Sequence, residues 1–102
     1  MLVTAKNYKS ILSELNISMN ITKEEFNTAL GNTSSVMYIT LTSKSGEVAE
    51  LRYTGSSNLE RKSLNKNAFR TFGVRKSFKS DEAKIAHALN MELHYFEQSY
   101  KS

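Results

Sequence analysis

The sequence predicts a small α+β domain with two layers, in which helices pack against a small antiparallel sheet. Three observations predict this class. Apolar residues recur at helical spacing near both ends of the chain, apolar and polar residues alternate through its middle, and a glycine-containing turn divides the alternating region. The 102 residues are enough for one modest core, so we expect a single domain over residues 1–102.

The first helix is predicted over Ala5–Leu15. Four apolar side chains follow the i, i+3, i+4, i+7 spacing of a buried stripe: Tyr8, Ile11, Leu12 and Leu15. Thr4 comes just before this helix and belongs to the residue types whose side-chain oxygen caps a helix N-terminus.

A second, shorter helix is predicted between Thr22 and Gly31. Thr22 and Glu25 have the spacing of a capping box, in which each side chain accepts a hydrogen bond from the other residue's backbone N–H. Gly31 suits the left-handed position that ends a helix. The apolar face of this helix would consist of Phe26, Ala29 and Leu30. The two helices together would form a helical hairpin.

A β-hairpin is predicted over Val36–Thr54, with a three-residue loop in which Gly46 takes the position of positive φ. Pairing Ser43 with Glu47 sets the register. One face then pairs Leu41 with Ala49, Ile39 with Leu51 and Met37 with Tyr53; the other pairs Thr42 with Val48, Thr40 with Glu50 and Tyr38 with Arg52. Only this register gathers the larger apolar pairs on one side, so we expect that side to face the core.

The region after the hairpin fits two structures. Ser57 and Glu60 have capping-box spacing, which favours a helix over Asn58–Phe72 that is ended by Gly73. Such a helix would align three cations in one row: Lys62, Lys66 and Arg70. The alternative is an extended run over Ala68–Phe78, which would add a third strand. The sequence favours the helix, alone or followed by a short strand around Val74–Phe78.

The last helix is predicted to begin after Ser80, the expected N-cap. Asp81 and Glu82 then place negative charge at the positive end of the helix dipole. The predicted buried stripe is formed by Ile85, Leu89, Leu93, Phe96 and Tyr100. Met91 and Tyr95 lie beside this stripe, and their edge is a candidate surface for a weak homodimer.

Positive charge is concentrated in one part of the chain. The segment Arg52–Lys79 contains eight cations and one acid, Glu60, for a net charge of +7, whereas the remainder carries six cations and nine acids, for −3. The eight candidate binding residues are Arg52, Arg61, Lys62, Lys66, Arg70, Arg75, Lys76 and Lys79. Aromatic residues are interleaved with them: Tyr53, Phe69, Phe72 and Phe78. Clustered cations attract phosphates or acidic protein surfaces.

We therefore expect a non-enzymatic binding module that docks nucleic-acid phosphates, whether of DNA or RNA. The alternative is a small protein-binding inhibitor or adaptor, of the phage or mobile-element type, that blocks a nucleic-acid-handling machine. The sequence contains no phosphate-binding loop or hydrolase motif, so no catalytic residue is predicted.

No cofactor or metal site is predicted either. The chain has no cysteine, and its two histidines, His87 and His94, would lie roughly 10.5 Å apart along one helix, too far to share a metal ion. The sequence also has no apolar run long enough to span a bilayer and no signal peptide at its start, so we expect a cytoplasmic protein without a membrane partner.

Overall fold

A computed structural model describes residues 2–27, 29–31, 33–54, 58–62, 69–71 and 78–99. At Phe26, Thr33, Ser34, Asn58, Phe69–Thr71 and Leu93–Ser99 it describes the backbone alone. The elements are, in chain order, α1 (Tyr8–Glu14), β1 (Ser18–Asn27), β2 (Thr33–Thr42), β3 (Val48–Thr54), β4 (Asn58–Lys62), β5 (Phe69–Thr71) and α2 (Asp81–Ser99). The predicted class, a small α+β domain, is confirmed.

The described strands form one antiparallel sheet in the order β1-β2-β3-β4-β5. Both helices contribute to a single core against one face of this sheet. The helices provide Tyr8, Ile11, Leu12, Ile85, Ala86, Ala88 and Leu89, and the sheet provides Met37, Ile39, Leu41, Ala49, Leu51, Tyr53 and Leu59. The sheet face that packs on the helices is therefore apolar, and the opposite face carries mostly polar positions.

The predicted hairpin register is confirmed at every pair. Ile39 lies opposite Leu51, and the flanking pairs follow the predicted alternation along β2 and β3. The turn closes with the Ser43 N–H donating to the carbonyl of Glu47 at 2.8 Å, and Gly46 has a φ of 89°. The glycine therefore supplies the left-handed residue that a three-residue hairpin loop requires.

The predicted second helix is wrong, and with it the helical hairpin. The residues expected to form it mostly belong to β1, which pairs with β2 through all ten of its residues, from Ser18 opposite Thr42 to Asn27 opposite Thr33. The capping-box spacing is real but local, and a helix of about eight residues is marginal without tertiary support. Met19 and Ile21 are two positions apart, as residues on the same face of a strand are, and both pack against the core. This packing favours the strand over the helix. Leu30, assigned to the helix's apolar face, is 88% exposed.

The predicted helix over residues 58–72 is also wrong, because its described parts form β4 and β5. Leu59 is buried while Glu60 and Lys62 lie on the opposite face, which is the alternation of a strand covered on one side. The row of Lys62, Lys66 and Arg70 consequently does not exist. In the alternative extended run, Phe69–Thr71 is a strand, whereas Ala68 and residues 72–77, including Val74, lie outside the described residues.

Helix α1 is shorter than predicted; a capped turn precedes it and a Schellman motif ends it. Before it, the Thr4 hydroxyl accepts from the N–H of Asn7 at 3.2 Å, and the Asn7 side-chain oxygen accepts from the N–H of Thr4 at 2.6 Å. After it, Asn16 has a φ of 56°, and the N–H of Ile17 donates to the carbonyl of Leu12 at 2.9 Å. This is a Schellman motif with asparagine in the left-handed position. It turns the chain at Leu15, which is 40% exposed, so burial of Leu15 was wrongly predicted.

Helix α2 begins after Ser80, whose hydroxyl accepts from the N–H of Ala83 at 3.2 Å, as predicted for the N-cap. Ile85 and Leu89 are buried as predicted, while Tyr100 and the side chains of Tyr95, Leu93 and Phe96 lie outside the described part of the chain. Met91 is half-buried and packs against the core, which leaves less of it for an external surface. Within the described residues, no helix is both long and apolar enough to cross a membrane.

Asn90 connects α2 to the beginning of the chain. Its side-chain oxygen accepts from the N–H of Val3 at 2.8 Å, and its side-chain nitrogen donates to the carbonyl of the same residue at 2.7 Å. One amide thus satisfies both backbone groups of Val3, as a neighbouring strand would. This clamp holds the buried Val3 side chain against the core.

Replacing Leu51 with Ala should lower the free energy of unfolding by about 2–5 kcal/mol, because the side chain is 1% exposed and its removal leaves a cavity. Urea denaturation followed by circular dichroism measures the change. Thr40→Ala, on the opposite face of β2, is the matched control and should cost far less. A Leu51→Ala protein as stable as the unmodified chain would contradict the observed register.

Replacing Asn16 with Ala should cost about 1 kcal/mol, because alanine lacks the local hydrogen-bonding side chain that lets asparagine adopt left-handed φ. Asn16→Gly keeps this conformation accessible and should leave the free energy of unfolding unchanged or higher. Thermal and urea unfolding of both variants measure the difference. Equal destabilisation by the two substitutions would show that the Schellman motif does not determine the end of α1.

Candidate functional site

The outer face of β3 and β4 carries two cross-strand ion pairs. Arg52 Nε donates to Glu60 Oε2 at 2.7 Å, and Lys62 Nζ lies 3.1 Å from Glu50 Oε2. In both cases the two residues are directly opposite each other in the ladder. Thr54 also donates to Glu60 Oε1 at 3.3 Å. A cation beside a carboxylate presents a dipole rather than a net charge, so this face attracts a distant phosphate only weakly.

Arg61 lies between these residues in sequence but on the other face of the sheet. Its Nε and Nη2 donate to Oε2 and Oε1 of Glu92 on α2, at 2.8 and 3.0 Å. Glu92 is fully buried, and the side chain of Arg61 is 26% exposed. Such a two-pronged pair satisfies both carboxylate oxygens in a setting where an unpaired charge would be costly. Arg61 therefore attaches the sheet to α2.

The eight predicted binding residues do not form one patch among the described residues. Arg52 and Lys62 share the outer face, Arg61 contacts α2, and Lys79 is exposed just before α2. The backbone of Arg70 lies in β5 opposite Arg61. Lys66, Arg75 and Lys76 lie outside the described residues. Counting charges along the sequence missed the carboxylates of Glu50 and Glu92, which come from outside the basic segment.

Two of the interleaved aromatic residues belong to the core region. Tyr53 is buried, and its ring meets the half-buried ring of Phe78 edge-on with centroids 5.6 Å apart. The ring of His87 lies 5.2 Å from that of Phe78. These contacts leave little of Tyr53 for stacking on a base. The side chain of Phe69 and the whole of Phe72 lie outside the described part of the chain, as does the side chain of His94.

The hydroxyl of Tyr53 has two partners on α2. It donates to the carbonyl of Lys84 at 3.0 Å and lies 2.6 Å from Nδ1 of His87. Since its one proton goes to the carbonyl, Nδ1 of His87 acts as donor to the hydroxyl oxygen. Burial raises the pKa of the Tyr53 hydroxyl above its ordinary value. Tyr53 therefore stabilises the fold below the ordinary tyrosine pKa of about 10, and this contribution is lost as the pH rises further.

A small groove lies beside this cluster, between the sheet and the start of α2. Four charged residues line it: Lys23, Glu25, Asp81 and Lys84. Lys23 and Asp81 form an ion pair across it. Sequence reasoning missed this groove because it placed Lys23 on a helix rather than on β1. Among the described residues, no group of three His, Asp or Glu side chains is arranged to hold a metal ion.

The chain matches no protein-family model, no curated protein and no solved structure. What it does is therefore inferred from the charges and geometry of its own residues.

Replacing Glu92 with Ala should lower the free energy of unfolding by about 3–5 kcal/mol, because Arg61 would lose the carboxylate that compensates its partly buried charge. The double replacement Arg61→Met with Glu92→Leu removes both charges and should recover most of the loss. Urea unfolding of Arg61→Met, Glu92→Leu and their double variant completes a double-mutant cycle, which measures the coupling between the two side chains. Additive effects of the two single changes would show that the pair does not attach the sheet to α2.

Proposed function

We propose that this protein is a non-enzymatic binding module that docks nucleic-acid phosphates through one acid-free segment, residues 63–80. This segment contains five cations and no aspartate or glutamate: Lys66, Arg70, Arg75, Lys76 and Lys79. The observation that supports this choice is the contrast with β3 and β4, where each of the three predicted binding cations lies against a carboxylate.

The neighbouring acids support the same assignment. Glu60, the last acid before the acid-free segment, accepts from Arg52, and Asp81, the first acid after it, is paired with Lys23. Both carboxylates are thus engaged by cations from elsewhere in the chain. Positive charge in residues 63–80 has no acid within its own sequence to screen it, which favours association with a polyanion.

The described parts of the segment are consistent with a surface role. β5 is the last strand of the sheet order, and Lys79 is exposed directly before α2. Phe78 is half-buried against Tyr53 and His87, so it anchors this end of the segment to the domain. This end of the segment would therefore contribute the charge of Lys79 rather than a ring that stacks on bases.

A charge-reversal experiment tests this function. The triple variant Lys66→Glu, Arg70→Glu and Arg75→Glu should lose binding to labelled single- and double-stranded oligonucleotides at low salt, measured by fluorescence anisotropy. The matched control reverses the exposed Lys6, Lys9 and Lys44, which gives the same net charge at other sites. The control should keep most of the affinity.

The salt dependence gives a second criterion. If all five cations contact phosphates, log K should fall with log salt with a slope of roughly 3.5 for single strands to 4.5 for duplex DNA. If both triple variants lose binding equally, the affinity depends on net charge alone. That result would overturn the assignment of binding to residues 63–80. If the unmodified chain binds no oligonucleotide at low salt but captures an acidic protein, the alternative of a protein-binding inhibitor or adaptor replaces nucleic-acid binding.

A further inference from the structure

The outer edge of β1 is the longest unpaired strand edge in the described part of the chain. β1 is first in the strand order, and its ten residues pair with β2 on one side only. The ladder to β2 has no break in register, and the chain contains no proline that would interrupt an edge. Long, regular edges of this kind are templates for pairing with another strand.

The hydrogen bonds of the hairpin determine which backbone groups point outward from β1. Ser43 and Glu47 form a hydrogen-bonded pair, so in the ladder of β2 with β3 the odd-numbered residues of β2 bond to β3. The even-numbered residues of β2 therefore bond to the even-numbered residues of β1. The N–H and C=O groups that face outward from β1 are those of its odd-numbered residues, of which the first four are Met19, Ile21, Lys23 and Glu25.

The side chains of these four residues lie on the helix side of the sheet. Met19 and Ile21 are half-buried and pack against the core, whereas Lys23 and Glu25 are exposed. The edge is thus apolar in its first half and charged in its second half. Further burial of Met19 and Ile21 would remove apolar surface from water.

We propose that a second copy of this chain pairs with β1 in antiparallel fashion, about a two-fold axis at Ile21, to form a continuous ten-stranded sheet. Ile21 then lies opposite Ile21 of the partner subunit, while Met19 lies opposite the partner's Lys23 and diagonally beside the partner's Ile21. On the outer face, Asn20 lies opposite the partner's Thr22. The interface joins the apolar halves of the two edges and lets the outward backbone groups hydrogen-bond.

The charges on β1 exclude axes in its second half, and ladder length separates the two remaining registers. An axis at Asn20 also pairs no like charges, but it would shorten the shared ladder from Ser18–Glu24 to Ser18–Thr22. An axis at Lys23 or Glu24 would place like charges directly opposite each other, which is destabilising. An axis at Thr22 would place Ile21 opposite the partner's Lys23 and Met19 opposite the partner's Glu25, separating the apolar side chains. With the axis at Ile21, no like charges are paired. One strand edge buries less than a standard interface, so the dimer is weak.

Cysteine cross-linking tests the register directly, because the chain has no cysteine of its own. In the proposed dimer the two copies of Ile21 form a hydrogen-bonded pair with Cα atoms about 5.5 Å apart, within disulfide range. Ile21→Cys should therefore give a disulfide-linked dimer on mild oxidation, seen on a non-reducing gel. The matched control is Glu25→Cys, on the same strand and face, whose two copies would lie about 27 Å apart.

The axis is supported if Ile21→Cys forms the disulfide-linked dimer while Glu25→Cys stays at the background level. Equal cross-linking of both variants, or none for Ile21→Cys, overturns it. Sedimentation of the cysteine-free chain without nucleic acid is an independent measurement. We expect reversible dimerisation, which Ile21→Lys should abolish and Met91→Lys should leave unchanged. A monomer at every concentration overturns the proposal, as does a dimer that only Met91→Lys disrupts, since that would place the interface on α2.

Discussion

The rest of the structure depends on the register of β2 against β3. Because side chains alternate between the two faces of a strand, pairing Ile39 with Leu51 decides which face of the whole sheet meets the helices. The same register, carried through β3 to β4, turns Arg61 toward α2 and Glu60 and Lys62 away from it. Carried in the other direction, it decides which backbone groups of β1 point outward.

The hairpin was predictable because both of its signals are local and agree. Alternation in two adjacent segments and a glycine at the required turn position lead to one register, and tertiary contacts support it. The N-cap at Ser80 was predictable for the same reason, since a cap depends on residues within one turn. These features together determine the α+β class.

The strand β1 and the strands after the hairpin were not predictable from local signals. Thr22 with Glu25, and Ser57 with Glu60, have the spacing of capping boxes, but in both regions the hydrogen bonds to a neighbouring strand outweigh the helix signal. The carboxylate partners of two predicted binding cations were not predictable for a similar reason. A charge count along the chain cannot include Glu50 or Glu92, which meet Lys62 and Arg61 only when β3 and α2 are in place.

The clamp between Asn90 and Val3 has a consequence for how the protein forms. The two residues are 87 positions apart, so closing this contact orders almost the whole chain at once. During synthesis, the sheet can assemble while α2 is still inside the ribosome, but the backbone groups of Val3 do not have this partner until Asn90 emerges. The segment around Val3 is thus held to the core only late in synthesis, and until then its apolar side chains are open to proteases and chaperones.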